Sequence, residues 1–392
     1  MKGIVNGRII TEEQILEGKV LLFNNKIVEI IEQSEIEKYN EQFGNMDLID
    51  AKGNYVSPGF IDIHIHGAGG FDTMDGEAEY LTHISKTICK NGVTAFLPTT
   101  MTMEKTYIFK ALDSIREARD KEKFGAKILG VHLEGPFINE KHKGAQKEEN
   151  IIVPSYNLIK EYTDVIKIIT LAPEKDFEHK FIKQVKENTD IVLSIGHSNA
   201  AYDEAIEAIH NGVEHATHTF NAMTALNHRE PGIVGAVLNS DVSCEIIADN
   251  IHIHPAVYNI VSKVKNKEKI VLITDSMRAG GMEEGVYDLG GQDVIVKNNS
   301  ARLANGTLAG SILTLNEAVK NMFENTGLKM YEAVAMASLN PAKVLRIDNI
   351  KGSLSKGKDA DVTIFDDNFN IYTTIVEGKI VFNKILGGTK DV

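Results

Sequence analysis

From residue 56 onward, short aliphatic and β-branched runs alternate with stretches whose apolar residues recur every three or four positions. This switching between a period near 2 and a period near 3.6 is the mark of a parallel α/β architecture. Eight runs read as strands: 56–63, 93–97, 128–133, 166–171, 191–195, 213–217, 243–248 and 270–274. Helical patterns fill most of the intervals, for example 78–91, 105–121 and 202–211. Eight such strands fit a closed (β/α)8 TIM-type barrel better than a doubly wound sheet. Residues 279–308 read as a Gly-rich insertion with short strands, after which helical patterns resume at 313–325 and 331–345.

The chain ends follow a different pattern. Residues 18–31 alternate as a hairpin does, with Asn24-Asn25 at the turn. Near the other end, 360–365, 372–376 and 379–382 again read as strands, the last two joined by Glu377-Gly378. β signals on both sides of the barrel predict a small β-sandwich domain built from residues 1–55 and 347–392, with 56–346 forming the barrel. There is no internal repeat, low-complexity tract or linker.

Composition narrows the function without naming it. The 392 residues are 43% hydrophobic and 25% charged, as in an ordinary globular protein able to bury a large core without disulfides. Cys89 and Cys244 lie in apolar stretches with no metal-type spacing, so both are expected to be buried thiols in a cytoplasmic protein. The net charge of −13 argues against nucleic-acid binding, but one local arginine and backbone N–H groups suffice for a small anionic substrate. No apolar run approaches the roughly 20 residues needed to span a bilayer, and the N-terminus lacks a signal-peptide core. Neither a membrane nor a nucleic acid is expected as a partner.

The chemistry lies at the strand ends. Asp62-Ile63-His64-Ile65-His66 closes the first strand and His132-Leu133-Glu134 the third. Gly196-His197 follows the fifth, His218 the sixth and Asp275 the eighth. In a parallel barrel all these ends lie on one face, where barrel active sites are assembled. His64 and His66 are two apart in a strand and so share a direction. A single strand-end histidine is more often a satisfied structural residue than a ligand. Four imidazoles and two carboxylates on five strand ends instead read as a cage for a divalent metal. Asp275 can act as an acid/base beside such a metal, or Thr274-Asp275-Ser276 can simply cap the next segment.

Other motifs carry less. Residues 352–358 have Gly-x4-Gly-Lys spacing, but Asp359 follows where a phosphate loop needs Ser or Thr, and a strand comes next; a turn is expected. Gly196-His197-Ser198-Asn199-Ala200 lacks the final glycine of a nucleophile elbow. His252 and His254 lie beyond the seventh strand, suited to substrate contact or exposure more than to a second ligand pair. His83, His142, His179, His210, His215 and His228 are expected to have no catalytic role.

Pro58-Gly59-Phe60-Ile61-Asp62-Ile63-His64-Ile65-His66-Gly67 resembles the opening signature of the amidohydrolase superfamily. Later motifs resemble its N-acetylglucosamine-6-phosphate deacetylases, above all His132-Leu133-Glu134-Gly135-Pro136-Phe137 and His218-Thr219-Phe220-Asn221-Ala222-Met223. Gly196 to Ala200, Ile247 to His252, Thr274-Asp275-Ser276-Met277 and Leu308-Ala309-Gly310-Ser311 continue the match in order. The resemblance implies Glu134, His197 and His218 as primary ligands, His64 and His66 as ligands of a second metal, and Asp275 as the catalytic acid/base. The cofactor would be one or two divalent ions per subunit: Zn, Fe, Mn or Co. The backbones of Asn221 and Ala222 would bind the phosphate of an amino sugar, and Arg229 would reach the phosphate held by the other subunit of a homodimer. Ala145, His252, Leu308, Ala309 and Gly310 match sugar- or acetyl-contacting positions. Arg278 departs from the small residue of some members, which leaves the contacts of its loop open.

Two competitors remain on the sequence. Dihydroorotases, hydantoinases and nucleobase deaminases share the architecture, and many bridge two metals with a carbamylated lysine at the end of the fourth strand. Here Lys167 stands near the beginning of that strand, while Glu134 can bridge from the third. A non-catalytic barrel descendant is the other competitor, yet none of the ligands or the acid/base is missing.

Overall fold

The computed structural model describes residues 1–44, 46–121 and 125–384. Eight strands form the barrel: β1 (Phe60–Ile65), β2 (Val93–Pro98), β3 (Val131–Glu134), β4 (Ile166–Leu171), β5 (Val192–Ile195), β6 (Val213–Ala216), β7 (Ser243–Ile247) and β8 (Ile270–Ile273). Strands β3 to β8 pair in parallel in sequence order, and β1 pairs in parallel with β2. The two arcs join where Thr100 N–H donates to the His132 carbonyl (3.0 Å), beside a parallel Thr99–His132 bridge. The ring closes where Asp275 N–H donates to the His64 carbonyl (2.8 Å). Almost every residue of these strands is buried, so they read as continuous apolar runs rather than alternating ones.

Two expected strands are each interrupted by a glycine. The run 56–63 splits into Tyr55–Pro58 and β1 at Gly59, where an added Cβ would sit 2.2 Å from the Thr94 side chain. The run 128–133 divides into Lys127–Ile128 and β3 at Gly130, which adopts φ +152° with the Val165 carbonyl 2.4 Å from any Cβ. A Cβ fits at neither position, so glycine is required at each break.

Helices wrap the outside and bury one stripe each. Ala78–Cys89 presents Leu81, Ile84 and Ile88, and Lys105–Asp120 presents Ile108, Leu112 and Ile115, at three- and four-residue spacing. Each such side chain contributes about 1.5–3 kcal/mol when fully buried. The expected helix 331–345 is two: Met330–Ala335 and Leu339–Val344. Between them the carbonyls of Met336 and Ala337 turn away to accept from Leu272 (2.8 Å) and Ile61 (2.7 Å) on the barrel. Pro341, with no N–H to give, stands in the first turn of the second helix, where that lack costs least.

Both chain ends contribute to one six-stranded sheet, ordered Lys379–Asn383, Ile371–Val376, Val362–Phe365, Tyr55–Pro58, Arg8–Ile10 and Ile15–Leu16. A four-stranded sheet holds the hairpin Lys19–Phe23 and Ile27–Glu32 with Lys2–Val5 and Asp47–Asp50. Residues of both, among them Ile4, Leu21, Phe23, Val56, Val362 and Ile375, share an apolar core. Residues 352–358 form a turn leading into Val362–Phe365. Beside it Lys351 is buried with its ammonium 2.6 Å from Asp359 and 2.7 Å from Asp361. Within 279–308 a three-stranded antiparallel sheet forms from Gly285–Asp288, Asp293–Lys297 and Ser300–Leu303. Residues 385–392 of the expected C-terminal segment lie outside the described residues. No described helix is long and apolar enough to cross a membrane.

Candidate metal centre

The strand ends deliver six side chains to one buried cluster. Glu134 closes β3, and its Oε1 lies 3.1 Å from His197 Nε2 and 3.0 Å from His218 Nε2. The two Nε2 atoms are themselves 3.0 Å apart. His64 Nε2 faces Glu134 Oε1 at 3.4 Å and Asp275 Oδ1 at 3.5 Å. His66 Nε2 faces Asp275 Oδ1 at 3.2 Å and Glu134 Oε2 at 3.4 Å. Two sets of candidate metal donors result at the cavity, Glu134–His197–His218 and His64–His66–Asp275, with Glu134 reaching both. A third group, His64–His132–Glu245, lies deeper, where both His132 ring nitrogens are already bonded to the Ile63 carbonyl and Thr170.

Local backbone conformation aims these groups. His197, His218 and Asp275 all have positive φ (49°, 27° and 48°), a region sparsely populated by non-glycine residues. Such strain is kept where the surrounding structure over-determines it, and here each of the three begins the loop that leaves its strand.

The opposite ring nitrogens settle the tautomers. Nδ1 of His197 meets the His142 carbonyl at 2.8 Å, that of His218 the Asn221 carbonyl at 3.2 Å, and that of His66 the Thr99 carbonyl at 3.2 Å. A carbonyl only accepts, so these nitrogens donate and each Nε2 points inward, with a free lone pair whenever its ring is neutral. His64 Nε2 is buried with no hydrogen-bond partner. Glu134 Oε1 and the Nε2 atoms of His197 and His218, crowded within about 3 Å, repel unless a proton or a metal cation sits among them, and N/O ligands of a divalent metal are arranged in this way. The donor set fits a divalent metal.

Electrostatics point the same way. Burial works against charge throughout, yet attraction prevails: the imidazoles of His197 and His64 hold the Glu134 carboxylate well below its usual range. Burial would lower His64, but Glu245, Asp275 and Glu134 push it up to about 9. His66 is raised well above its ordinary value against burial by Asp275 and Glu134. The carboxylates of the cluster demand positive charge beside them.

The cluster opens into a cavity of about 320 Å³. Of the expected sugar-contacting residues, Ala145, Asn221, Ala222, His252, Leu308 and Gly310 line it. Ala309 is buried behind them, its N–H donating to Ala301. The Asn221 N–H is engaged by the His218 carbonyl (2.9 Å). His252 is oriented by Asp249 at 2.6 Å, whereas His254 caps the helix Pro255–Val264 and takes no part. Arg229 stands exposed on the 224–230 loop and does not line the cavity of the single chain. Arg278 reaches away to Asp75 and to the Asp288 carbonyl, tying the 279–308 insertion to the loop after β1. Lys167 lies near the start of β4, away from the cluster. Cys89 and Cys244 are buried free thiols.

Three contributors have no expectation behind them. Gln146 donates to Glu134 Oε2 (2.9 Å) while accepting from Thr102 N–H (2.7 Å). Glu245 bonds His64 Nδ1 at 2.9 Å, and His215, expected to be a bystander, bonds Glu245 at 3.1 Å. A glutamate inside the apolar run Ser243–Ile247 was a visible signal, because a buried carboxylate needs a partner. Gln146 offered none.

Residues 55–381 match the model of the amidohydrolase family. The chain is 40% identical to the N-acetylglucosamine-6-phosphate deacetylase of Bacillus subtilis, with 95% of each chain covered. It is 35% identical to the N-acetylgalactosamine-6-phosphate deacetylase of Escherichia coli O157:H7, covering 95% of this chain and 97% of that one. The crystal structure of N-acetylglucosamine-6-phosphate deacetylase from Pasteurella multocida superposes with a TM-score of 0.90 at 34% identity, covering 97% of this chain and 99% of that one.

Proposed function

Since this chain belongs to the amidohydrolase family, we propose that it hydrolyses the acetamide of N-acetyl-D-glucosamine 6-phosphate to D-glucosamine 6-phosphate and acetate, in amino-sugar catabolism. The observation that carries this reading is the convergence of Glu134, His197 and His218 within hydrogen-bonding distance, with the Asp275 carboxylate facing the same space through His64 and His66.

The family uses a divalent metal, and the residues that would hold it are Glu134, His197 and His218, with His64 and His66 for a second ion; Zn, Fe, Mn or Co all suit such ligands. When bound, a divalent cation supplies polarisation of the amide carbonyl and a more acidic water. Asp275 takes the proton that the attacking water gives up as its oxygen bonds to the carbonyl carbon. It then passes that proton to the sugar nitrogen as the C–N bond breaks, leaving the free amine and acetic acid, which ionises to acetate and a proton. His252, fixed by Asp249, donates to the substrate carbonyl or a sugar hydroxyl. The Ala222 backbone, with Asn221, Ala145, Leu308 and Gly310 around it, holds the sugar phosphate; the Asn221 N–H, expected to share in this, is taken by the His218 carbonyl.

Arg229 reaches that phosphate from a second copy of the chain, so the working form is a homodimer. The enzyme acts in the cytoplasm, and the terminal segments form a β unit beside the barrel; the expected division at 55/56 moves to Gly59, because the strand Tyr55–Pro58 pairs within the terminal sheet. Acetate release from N-acetylglucosamine 6-phosphate and its galacto epimer, set against ring opening of hydantoin and dihydroorotate, tests the reading. Turnover of hydantoin or dihydroorotate without acetate release from either sugar would overturn it.

A further inference from the structure

Of the four cage histidines, three have Nδ1 held by main-chain carbonyls and one by a side chain. His66, His197 and His218 lean on Thr99, His142 and Asn221, carbonyls that no substitution removes. His64 alone leans on a carboxylate, Glu245 Oε2, at 2.9 Å. The same Oε2 accepts the backbone N–H of His218 at 3.0 Å, so one oxygen joins β1 to the loop after β6. Its partner Oε1 meets His215 Nε2 at 3.1 Å, and His215 Nδ1 meets Ser243 Oγ at 2.7 Å. Every member of this chain is buried.

We infer that Glu245, braced by His215, is a positioning residue that makes His64–His66–Asp275 a cation subsite separable from Glu134–His197–His218. Accepting from Nδ1–H fixes the tautomer of His64 and turns Nε2, the buried nitrogen without a partner, toward Glu134 and Asp275. Without that acceptor the ring is free to rotate or to move its proton to Nε2, and the donor is lost. The Glu134–His197–His218 set loses only the acceptor of the His218 backbone N–H: the Asn221 and His142 carbonyls still hold both rings, and Thr219 N–H still donates to the main-chain carbonyl of residue 245 (2.9 Å). The loss therefore falls mainly on one set. This inference rests on the proposed metal dependence but not on the identity of the substrate.

The test is cobalt(II) titration of chelator-treated protein, followed by visible absorption and by metal count per chain, with a melting curve for each variant. The expected result is two cations per wild-type chain. Glu245→Leu, which removes both acceptor oxygens where glutamine would keep one, loosens one of them about tenfold or more, the range for loss of an imidazole's outer partner, and shifts the other far less. His64→Gln gives the same loss, and the double variant adds nothing further, since the two act through one ring. His215→Asn, a milder change one bond further out, gives a smaller selective loosening and serves as the readout should Glu245→Leu not fold. Unchanged binding in both the Glu245 and His215 variants, equal loosening of both cations, or a single cation in the wild type would overturn the inference. Acetate release by the wild type on the same preparation shows separately whether the proposed reaction stands.

Discussion

Two places in this molecule bury several carboxylates, and they resolve the cost in opposite ways. In the terminal β region, Asp359 and Asp361 share the ammonium of Lys351, and Asp359 also takes Lys26 at 2.5 Å. At the barrel mouth, the ion-pair partners of Glu134, Asp275 and Glu245 among the described residues are imidazoles, which are positive only when protonated. A cluster that carries its own permanent cation is finished by folding. One whose counter-charge is conditional stays open to a cation from outside. Buried charge by itself therefore says little about function; the permanence of the neighbouring positive charge says more.

The severest way to break the contrast is Glu134→Ala, which removes the carboxylate that faces the inward Nε2 atoms of both donor sets. Metal and acetate release are expected to disappear together, and full metal occupancy in this variant would sink the ligand assignment. Next comes Asp275→Asn, which keeps a side chain of the same shape but cannot take a proton. The cation of Glu134–His197–His218 should remain while kcat falls by roughly 10²–10⁴; turnover near that of the wild type would refute the proton shuttle.

Lys351→Met probes the closed cluster. It strands two buried carboxylates, and the expected cost is about 3–5 kcal/mol in a urea titration, with the kcat of the folded fraction unchanged. A loss below about 1 kcal/mol would show that water relieves the pair.

A pH series separates the two clusters without mutation. His64 rises from 6.5 to about 9 in the folded chain, as burial is outweighed by Glu245, Asp275 and Glu134. Its contribution is fully present below pH 6.5 and is lost as pH climbs through 9. Chelator-treated protein should weaken over that window, and saturating divalent metal should flatten the profile because the cation replaces the proton. A flat profile in the chelated protein would contradict this.

Smallest is Arg229→Ala, where positive charge would arrive from another copy of the chain. An increase in KM of about tenfold with kcat retained is expected for loss of one charge-assisted contact. An unchanged KM removes Arg229 from phosphate recognition.

Much of this was legible in the sequence because strand ends of a parallel barrel lie on one face. His64, His66, Glu134, His197, His218 and Asp275 are far apart in the chain, yet each stands at or just past the end of an apolar run, and that suffices to bring them together. What escaped lay elsewhere. Glu245 and His215 sit inside strands, where the barrel's closed interior, not the strand end, decides what they meet. The split of 331–345 follows from carbonyls drawn to β1 and β8, a tertiary demand that helical spacing cannot reveal, although Asn340-Pro341 hinted at it. Arg229 is the converse case, since nothing within a single chain brings it to the cavity.

Tyr55–Pro58 is hydrogen-bonded on one side by Arg8–Ile9 and on the other by Val362–Phe365. While the chain is being synthesised, one flank of that strand therefore waits, unsatisfied, until the whole barrel has left the ribosome. A transcript cut short after the barrel would yield every metal ligand and still leave a bare strand edge beside Gly59, an invitation to pair with other truncated copies. Premature termination should thus send this protein to inclusion bodies before it costs a single catalytic group.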